Sequence, residues 1–306
     1  MRQIRYDAYG PPDVLHCVSA SDPEPAPGEV LVRVRAAALN SVDAQLRDGL
    51  IPGRGTPPFV PGLDVSGVVE ALGSDVGGLS VGDPVIGYLS PGQGGYAEKV
   101  SAPATSFVPH PAAVDEIHAA ALPLVGLTAL QALDFADVSA GQRVLIHAAA
   151  GGVGHVAVQL AVARGAEVVA TARPANHELI TDLGAKQVID YTTVDFGTAI
   201  DGVDVVLDLV GGDYGSRSLD VLAPGGRVLG LTLRPGDVAR DAERRGLRYD
   251  FFGLHPSQDD LRRLVDHMNA GTLRTVVEST FALEDAAAAH RLLESRRVRG
   301  KVVLVP

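Results

Sequence analysis

The sequence predicts an α/β protein of two domains, one mostly β and the other a doubly wound parallel sheet. Three observations carry this. At 306 residues the chain exceeds what a single hydrophobic core of ordinary size organises. Its texture changes near Ala119: before it, short β-branched runs sit between Gly- and Pro-rich turns, and after it apolar runs alternate with helix-length stretches. Finally, a small-residue segment, "HAAAGGVGHVAVQLA" (His147–Ala161), follows one of those runs and turns apolar at helical spacing. Apolar residues make up 46% of the chain, which calls for a packed core rather than disorder.

In residues 1–118, "EVLVRVRAAAL" (29–39) and "VSGVVEAL" (65–72) read as strands, broken by "PAPGE", "PPFVPGLD" and "SVGDPVIG". That pattern is one of short antiparallel strands rather than helices. Beyond Ala119, "RVLIHAA" (143–149), "AEVVATA" (166–172), "KQVIDY" (186–191), "VDVVLDLV" (203–210) and "GRVLGL" (226–231) are buried-strand candidates. Helix-length stretches between the first of them require crossovers, hence parallel pairing with helices on the faces. "LEDAAAAHRLLESRR" (283–297) reads as a late helix and "GKVVLVP" (300–306) as a final strand. No internal repeat interrupts the series.

The glycine segment admits two readings. Val153, Val156, Ala157, Leu160 and Ala161 line one helical face, and Gly165 suits the C-terminal stop. Ala149, Gly151 and Gly154 occupy the positions of a Gly-x-Gly-x-x-Gly fingerprint, with Ala in place of the first glycine. In a phosphate cradle, a side chain at Gly151 would keep the backbone from a pyrophosphate held at the helix start. In a packing turn, the glycines would serve only the strand–helix join, Gly151 by adopting positive φ. The βαβ alternation that follows favours the cradle. An NAD site carries an acidic residue about 20 positions after the glycines. Here that region reads "ATARPANH" (170–177), with no acid and with Arg173. An arginine there can pair with a 2′-phosphate, which favours NADPH; the other reading is a solvated arginine on a loop.

Charge and cysteine content exclude several classes. Asp and Glu number 37 against 26 Lys and Arg, a net charge of −11, which argues against nucleic acid or an acidic membrane as partner. The single cysteine, Cys17, excludes an internal disulfide and a Cys-rich zinc site. "MRQIRYDAYG" at the start lacks a signal-peptide core and no apolar run reaches spanning length, so a cytoplasmic protein is expected.

With these residues in place, the chain resembles the medium-chain dehydrogenase/reductase superfamily, in its zinc-independent quinone oxidoreductase (zeta-crystallin-like) branch. The landmarks run in order over nearly the full length. They are "AAALNSVDAQLRDG" (36–49), "VPGLDVSGVVEALGSDV" (60–76), "VGDPVIG" (81–87), "GGYAEKV" (94–100), "ALPLVGLTALQAL" (121–133) and "AAAGGVG" (148–154). "LGAKQVIDY" (183–191), "DLVGG" (208–212), "LAPGGRVLGL" (222–231) and "HRLLESRRVRGKVVLV" (290–305) complete the series. The resemblance implies a GroES-like, mostly-β catalytic domain (1–118 and 273–306) and a Rossmann NADPH-binding domain (119–272), with the cofactor in the cleft and a homodimer formed through Rossmann edge strands.

Carried over residue by residue, the resemblance implies that Asn40 and Thr128 reach toward the nicotinamide end, and that Ala150, Gly151, Gly152 and Val153 face the pyrophosphate. Arg173 and Tyr191 would border the adenosine phosphate, and Asn176 stands where some relatives carry a phosphate-binding lysine. Val210, Leu231, Phe252 and Leu254 would line the cofactor's other side, and Lys301 would close it. Plainer roles stay open beside these: helix packing for Thr128, ordinary core for Leu231 and Phe252, a strand-end aromatic for Tyr191, and a turn for Asn40.

Zinc alcohol dehydrogenases of the superfamily carry a Cys near the Asn40 region, Gly-His-Glu where this chain reads Gly62-Leu63-Asp64, and a four-cysteine lobe. None of these ligands is present, and leucine cannot bind zinc. The nine histidines, His147 and His155 among them, lack metal-ligand spacing. Without zinc, the chemistry expected is hydride delivery to a small molecule already electron-poor, a quinone or an α,β-unsaturated carbonyl, whose charge delocalises to oxygen. Some relatives have a Tyr near "RDGLIP", but Ile51 stands there in this chain, leaving Asn40 or water as the expected proton donor. Loops 50–59 and 232–246 would shape the acceptor pocket. The competing reading is a low-turnover NADPH-binding redox sensor or structural protein.

Overall fold

A computed structural model describes residues 1–232 and 236–306. Along the chain come β1 (Arg2–Arg5), β2 (His16–Ser19), β3 (Glu29–Ala38), α1 (Ser41–Arg47), β4 (Asp64–Leu72), β5 (Pro84–Tyr88), β6 (Lys99–Pro103) and β7 (Phe107–Pro109). Helices α2 (Glu116–Ala120) and α3 (Pro123–Phe135) follow, then β8 (Arg143–Ile146), α4 (Gly152–Ala163), β9 (Glu167–Ala172), α5 (His177–Asp182), β10 (Gln187–Asp190), α6 (Phe196–Ala199) and β11 (Val203–Asp208). The rest is α7 (Asp213–Ser218), β12 (Leu222–Gly230), α8 (Val238–Arg245), β13 (Arg248–Phe251), α9 (Gln258–Asn269), β14 (Val277–Ala282), α10 (Ala286–Glu294) and β15 (Lys301–Val305). The chain divides into two compact units, Met1–Val125 with Pro256–Pro306, and Gly126–His255. Helix α9, which the expected boundary at 272 assigns to the second domain, belongs to the first unit.

The first unit is built on a seven-stranded sheet of order β14-β15-β3-β4-β5-β7, with β6 also paired to β3. Its pairs are antiparallel except β14–β15, and β1 pairs β2 separately. Along β3 the alternation Val30, Val32, Val34 faces the main core with Val65, Val69, Val85 and Phe107. From Ala36 to Ala38 both faces are buried, because Ala36 and Ala38 pack against Ala120 and Ala121 beside Val303. The expectation of strands rather than helices before residue 118 is corrected by α1 and α2. Helix α1 starts where Asn40 turns extended (φ −131°) and its N–H reaches the Asp43 carboxylate at 2.8 Å. This is one half of a capping box, a signal the strand pattern around it obscured.

The second unit holds a six-stranded sheet of order β10-β9-β8-β11-β12-β13, parallel throughout. The order reverses between β8 and β11, which makes that crevice the topological switch point. Leu145, Val169, Val206 and Val228 form the centre of the core, joined by Phe196 and Val238 from the helices. Among the described residues no helix is long and apolar enough to cross a membrane.

Candidate functional site

In a parallel sheet every strand ends on the same edge, so whatever follows each strand gathers there. At that edge of the second unit lie Ala148–Gly151 after β8, Arg173 after β9, Tyr191 after β10, Val210 after β11, Leu231 after β12 and Phe252 after β13. Apart from Thr128 on α3, the sequence-predicted cofactor residues of this unit are thereby collected at or just beyond the ends of six strands.

The glycine segment closes the β8–α4 join at the switch point. Gly151 is the N-cap of α4 with φ −79° and ψ −179°, ordinary extended backbone, so the expectation of positive φ there is corrected. The left-handed residue is Ala148, at φ 49°, which turns the chain out of β8. A Cβ on Gly151 would meet one atom, the Ala148 carbonyl oxygen, at 3.2 Å; on Gly154 it would come within 2.7 Å of Ala149 Cα and 2.9 Å of its carbonyl carbon. Gly154 is therefore the packing glycine, while a Cβ on Gly151 would ask only the Ala148 carbonyl to give by a few tenths of an ångström. The amides of Gly152 and Val153 stand in the first turn of α4, where no helical carbonyl reaches them. Helix α4 is buried from Gly154 to Ala161, nearly all round rather than along one face, and Gln159 and His155 satisfy themselves on backbone carbonyls one turn back. Gly165, at φ 78°, ends it as expected.

Arg173 and Tyr191 come together: the guanidinium Nε donates to the phenol oxygen at 2.9 Å, with Arg173 exposed and Tyr191 half-buried. Asn176 lies one turn on, its N–H bonded to the Arg173 carbonyl at 2.9 Å. On the other side of the switch point, the buried Asp208 carboxylate accepts the N–H groups of Val210 (2.9 Å) and Gly211 (2.8 Å). Burial raises its pKa and these two donors oppose the rise. Thr128 is buried on α3. Three residues on, Gln131 clamps His255 through both its backbone groups, at 3.0 and 3.1 Å, fixing the stretch that carries Phe252 and Leu254. Phe252 packs against Phe135 with ring centroids 5.6 Å apart and the planes tilted by 48°. Of loop 232–246, residues 233–235 lie outside the described residues.

In the first unit, sheet register brings Asn40 and Lys301 together. Val303 pairs Ala38, so two residues further along this antiparallel pair Lys301 stands opposite Asn40. Ala38 pairs Asp64, and Asp64 pairs Tyr88. The Lys301 ammonium donates to Asn40 Oδ1 and lies 3.3 Å from Asp64 Oδ2. Asn40 Nδ2 donates to Asp64 Oδ2 at 2.9 Å and to the Ala38 carbonyl at 3.4 Å, so the amide expected to serve an acceptor is engaged within the chain. Asp64 Oδ1 also accepts the Leu124 N–H at 2.8 Å. Asp43 completes the cluster, accepting Tyr96 OH at 2.9 Å. All five side chains are buried. Burial pushes Asp43 up to about 6 against its hydrogen bonds and raises Asp64 against the pull of Lys301. Burial also lowers Lys301, against the pull of the two carboxylates.

The sequence pattern did not single out Asp43, Asp64 as a partner of Lys301, Asp208 or Gln131. Three of them are acids inside apolar runs, "NSVDAQL", "GLDVSGVV" and "VVLDLVGG", and a charge in such a run was the available signal. Leu63, where zinc enzymes carry histidine, is 2% exposed. Among the described residues no three His, Cys, Asp or Glu side chains gather as metal ligands would.

Two family models match the chain: an alcohol dehydrogenase GroES-like domain over residues 26–112 and a zinc-binding dehydrogenase domain over residues 183–304. The NADPH-dependent alkenal/one oxidoreductase, chloroplastic, of Arabidopsis thaliana is 36% identical, aligned over 100% of this chain and 80% of its own. Among solved structures, the quinone oxidoreductase from Coxiella burnetii superposes with a TM-score of 0.95 at 39% identity, covering 100% of this chain and 99% of that one. Escherichia coli quinone oxidoreductase complexed with NADPH gives 0.92 at 30% identity, with both chains covered completely.

Proposed function

The chain belongs to the quinone oxidoreductase branch of the medium-chain dehydrogenase/reductase superfamily, and from that premise we propose that it reduces quinones and α,β-unsaturated carbonyls with NADPH. One observation carries the cofactor assignment: the carboxyl edge of the parallel sheet presents a glycine, Gly151, that its extended backbone does not require and whose Cβ would press within the chain on the Ala148 carbonyl oxygen alone. A cradle that a Cβ would fill fits a pyrophosphate approaching the start of α4. Ala150, Gly151, Gly152 and Val153 would hold it, and Arg173 with Tyr191 would hold the 2′-phosphate, Asn176 adding a neutral donor in place of lysine. Val210, Leu231, Phe252 and Leu254 would flank the cofactor from the ends of β11, β12 and β13.

NADPH, when bound, supplies a hydride. The protein's part is to orient the acceptor and to offer donors where negative charge develops. The donor set supports a reaction without zinc: a buried leucine occupies the zinc-ligand position and the neighbouring Asp64 carboxylate already faces the Lys301 ammonium, which would repel a dication. Named activities among the relatives favour turnover over the sensor reading. We further propose a cytoplasmic homodimer. Strand β13 is an edge of its sheet and leaves Phe251 52% exposed, the kind of edge that pairs with a second copy.

The regiochemistry of reduction tests this reading. Cyclohexenone reduced with nicotinamide deuterated at the hydride position should yield cyclohexanone with deuterium on the β-carbon. Deuterium on the carbonyl carbon of an alcohol product would instead identify an alcohol dehydrogenase.

A further inference from the structure

We propose that Tyr88 is the hydrogen-bond and proton donor to the acceptor's carbonyl oxygen, a role that rests on the enone and quinone reductase reading above. Residues directly opposite in an antiparallel pair project from the same face, and Tyr88, last residue of β5, is opposite Asp64. By the same rule Ala38 and Asp64 share that face, as do Val303 and Ala38, and Lys301, two residues from Val303, joins them. Tyr88 thus extends the row that carries Lys301, Asn40 and Asp64. It differs from them in two respects. Asn40, Asp64 and Lys301 are buried and engaged with one another, whereas Tyr88 is half-buried. Among the described residues its hydroxyl has no hydrogen-bond partner, unlike Tyr6 and Tyr96, whose hydroxyls are bound to the Gly55 carbonyl and to Asp43.

The charges around Tyr88 keep it a donor. Burial pushes its pKa up to about 12, Asp64 and Asp43 reinforce the rise, and Arg54 from loop 50–59 opposes it. A phenol so placed is protonated at neutral pH and cannot act as a base. It can donate to an oxygen that is gaining negative charge. In the reduction of an enone, a hydride supplied by bound NADPH would form a C–H bond at the β-carbon, the C=C pair would move into a new double bond between the α- and carbonyl carbons, and the C=O π pair would move onto the oxygen. The Tyr88 proton then passes to that oxygen, water reprotonates the phenolate, and the enol tautomerises to the saturated ketone. The sequence offered no general acid at Ile51; the geometry points to one at the end of β5 instead.

Tyr88→Phe removes the hydroxyl and keeps the ring. Its kcat/KM for cyclohexenone should fall by roughly tenfold or more, while its dissociation constant for NADPH, which also reports folding, stays at the wild-type value. A second readout needs no cofactor. In protein labelled with 13C at the hydroxyl-bearing ring carbon of tyrosine, the Tyr88 resonance is identified by its loss in Tyr88→Phe or Tyr88→His. It should shift saturably as cyclohexenone is added to NADPH-free wild type. A folded Tyr88→Phe protein within about twofold of wild type in kcat/KM, or a Tyr88 resonance unmoved by saturating cyclohexenone, overturns the assignment. A wild type that oxidises no NADPH with any acceptor would overturn the functional reading instead, and the NMR titration would still decide whether Tyr88 meets a carbonyl.

Discussion

Gly151 and Gly154 lie in one turn yet answer to different partners, and two substitutions separate them. Gly151→Val places a side chain where only the Ala148 oxygen is near, at a φ that valine tolerates. The fold should survive and NADPH affinity should fall by roughly tenfold or more, about 1.4 kcal/mol. Gly154→Ala drives a methyl into Ala149 and should cost about 1–3 kcal/mol of stability, as overpacking does. Urea denaturation and NADPH titration of both variants check the pair, and an unchanged titration in folded Gly151→Val would reduce the segment to a packing turn. Arg173 is the second test at this scale. An exposed guanidinium held by Tyr191 can accept a 2′-phosphate as a charge-assisted partner. Arg173→Ala should weaken NADPH by roughly tenfold or more relative to NADH, with Tyr191→Phe weaker in effect because its hydroxyl is neutral. Equal losses for both cofactors would place Arg173 outside the phosphate site. In the sequence, spacing marks the two glycines, at fixed offsets after a strand, and Arg173, by the missing acid after the next one, whereas Tyr191 was reached only through the resemblance. The φ of Gly151 was not legible, because Ala148, a residue with no special propensity, takes the left-handed turn.

Strand identity was readable from apolar runs, and strand partnership was not. Nothing local in "GKVVLVP" says that β15 will pair with β3, more than 250 residues earlier in the chain, so the meeting of Lys301 with Asn40 and Asp64 emerged only from register. Short helices escaped for a related reason. With seven and five residues, α1 and α2 are held by caps and tertiary packing rather than by a hydrophobic period. The three-strand junction predicts a specific energetic pattern. Lys301→Met leaves the buried Asp64 carboxylate without its cation and should destabilise by about 3–5 kcal/mol, whereas replacing both members of a buried pair costs far less. Adding Asp64→Asn to Lys301→Met should therefore recover most of the loss. Denaturant unfolding of the single and double variants measures it, and a double variant no more stable than the single one would mean that the ammonium does not neutralise Asp64.

Across the whole molecule, the division into a mostly-β unit and a parallel α/β unit followed from the change of texture near Ala119, and the sheet order supplied the switch point. Buried titratable groups set the acid response. His147, bonded to Thr171 and Ser218, and His290, accepting from Arg47, are both held down to about 3, by burial first and by a nearby arginine second. Below the ordinary imidazole value the unfolded chain binds these protons and the folded one does not, so stability falls as pH falls. From pH 7 to pH 5 each imidazole removes about 2 kcal/mol. Asp43, raised to about 6, acts in the opposite sense, binding its proton first in the folded state and returning about 1 kcal/mol over the same range. Asp64 and Asp208, also raised by burial, act in the same sense as Asp43, so urea unfolding should show a net loss of at most about 2–3 kcal/mol between these pH values; greater stability at pH 5 would mean that the carboxyls outweigh the histidines. Metal-free reduction of an electron-poor acceptor by NADPH can be checked in one assay. NADPH absorbance is followed in chelator-dialysed protein with and without benzoquinone or cyclohexenone. Acceptor-dependent oxidation of NADPH is expected, at a rate that added zinc does not raise. NADPH that stays reduced with both acceptors, or oxidation that appears only when zinc is restored, would contradict it.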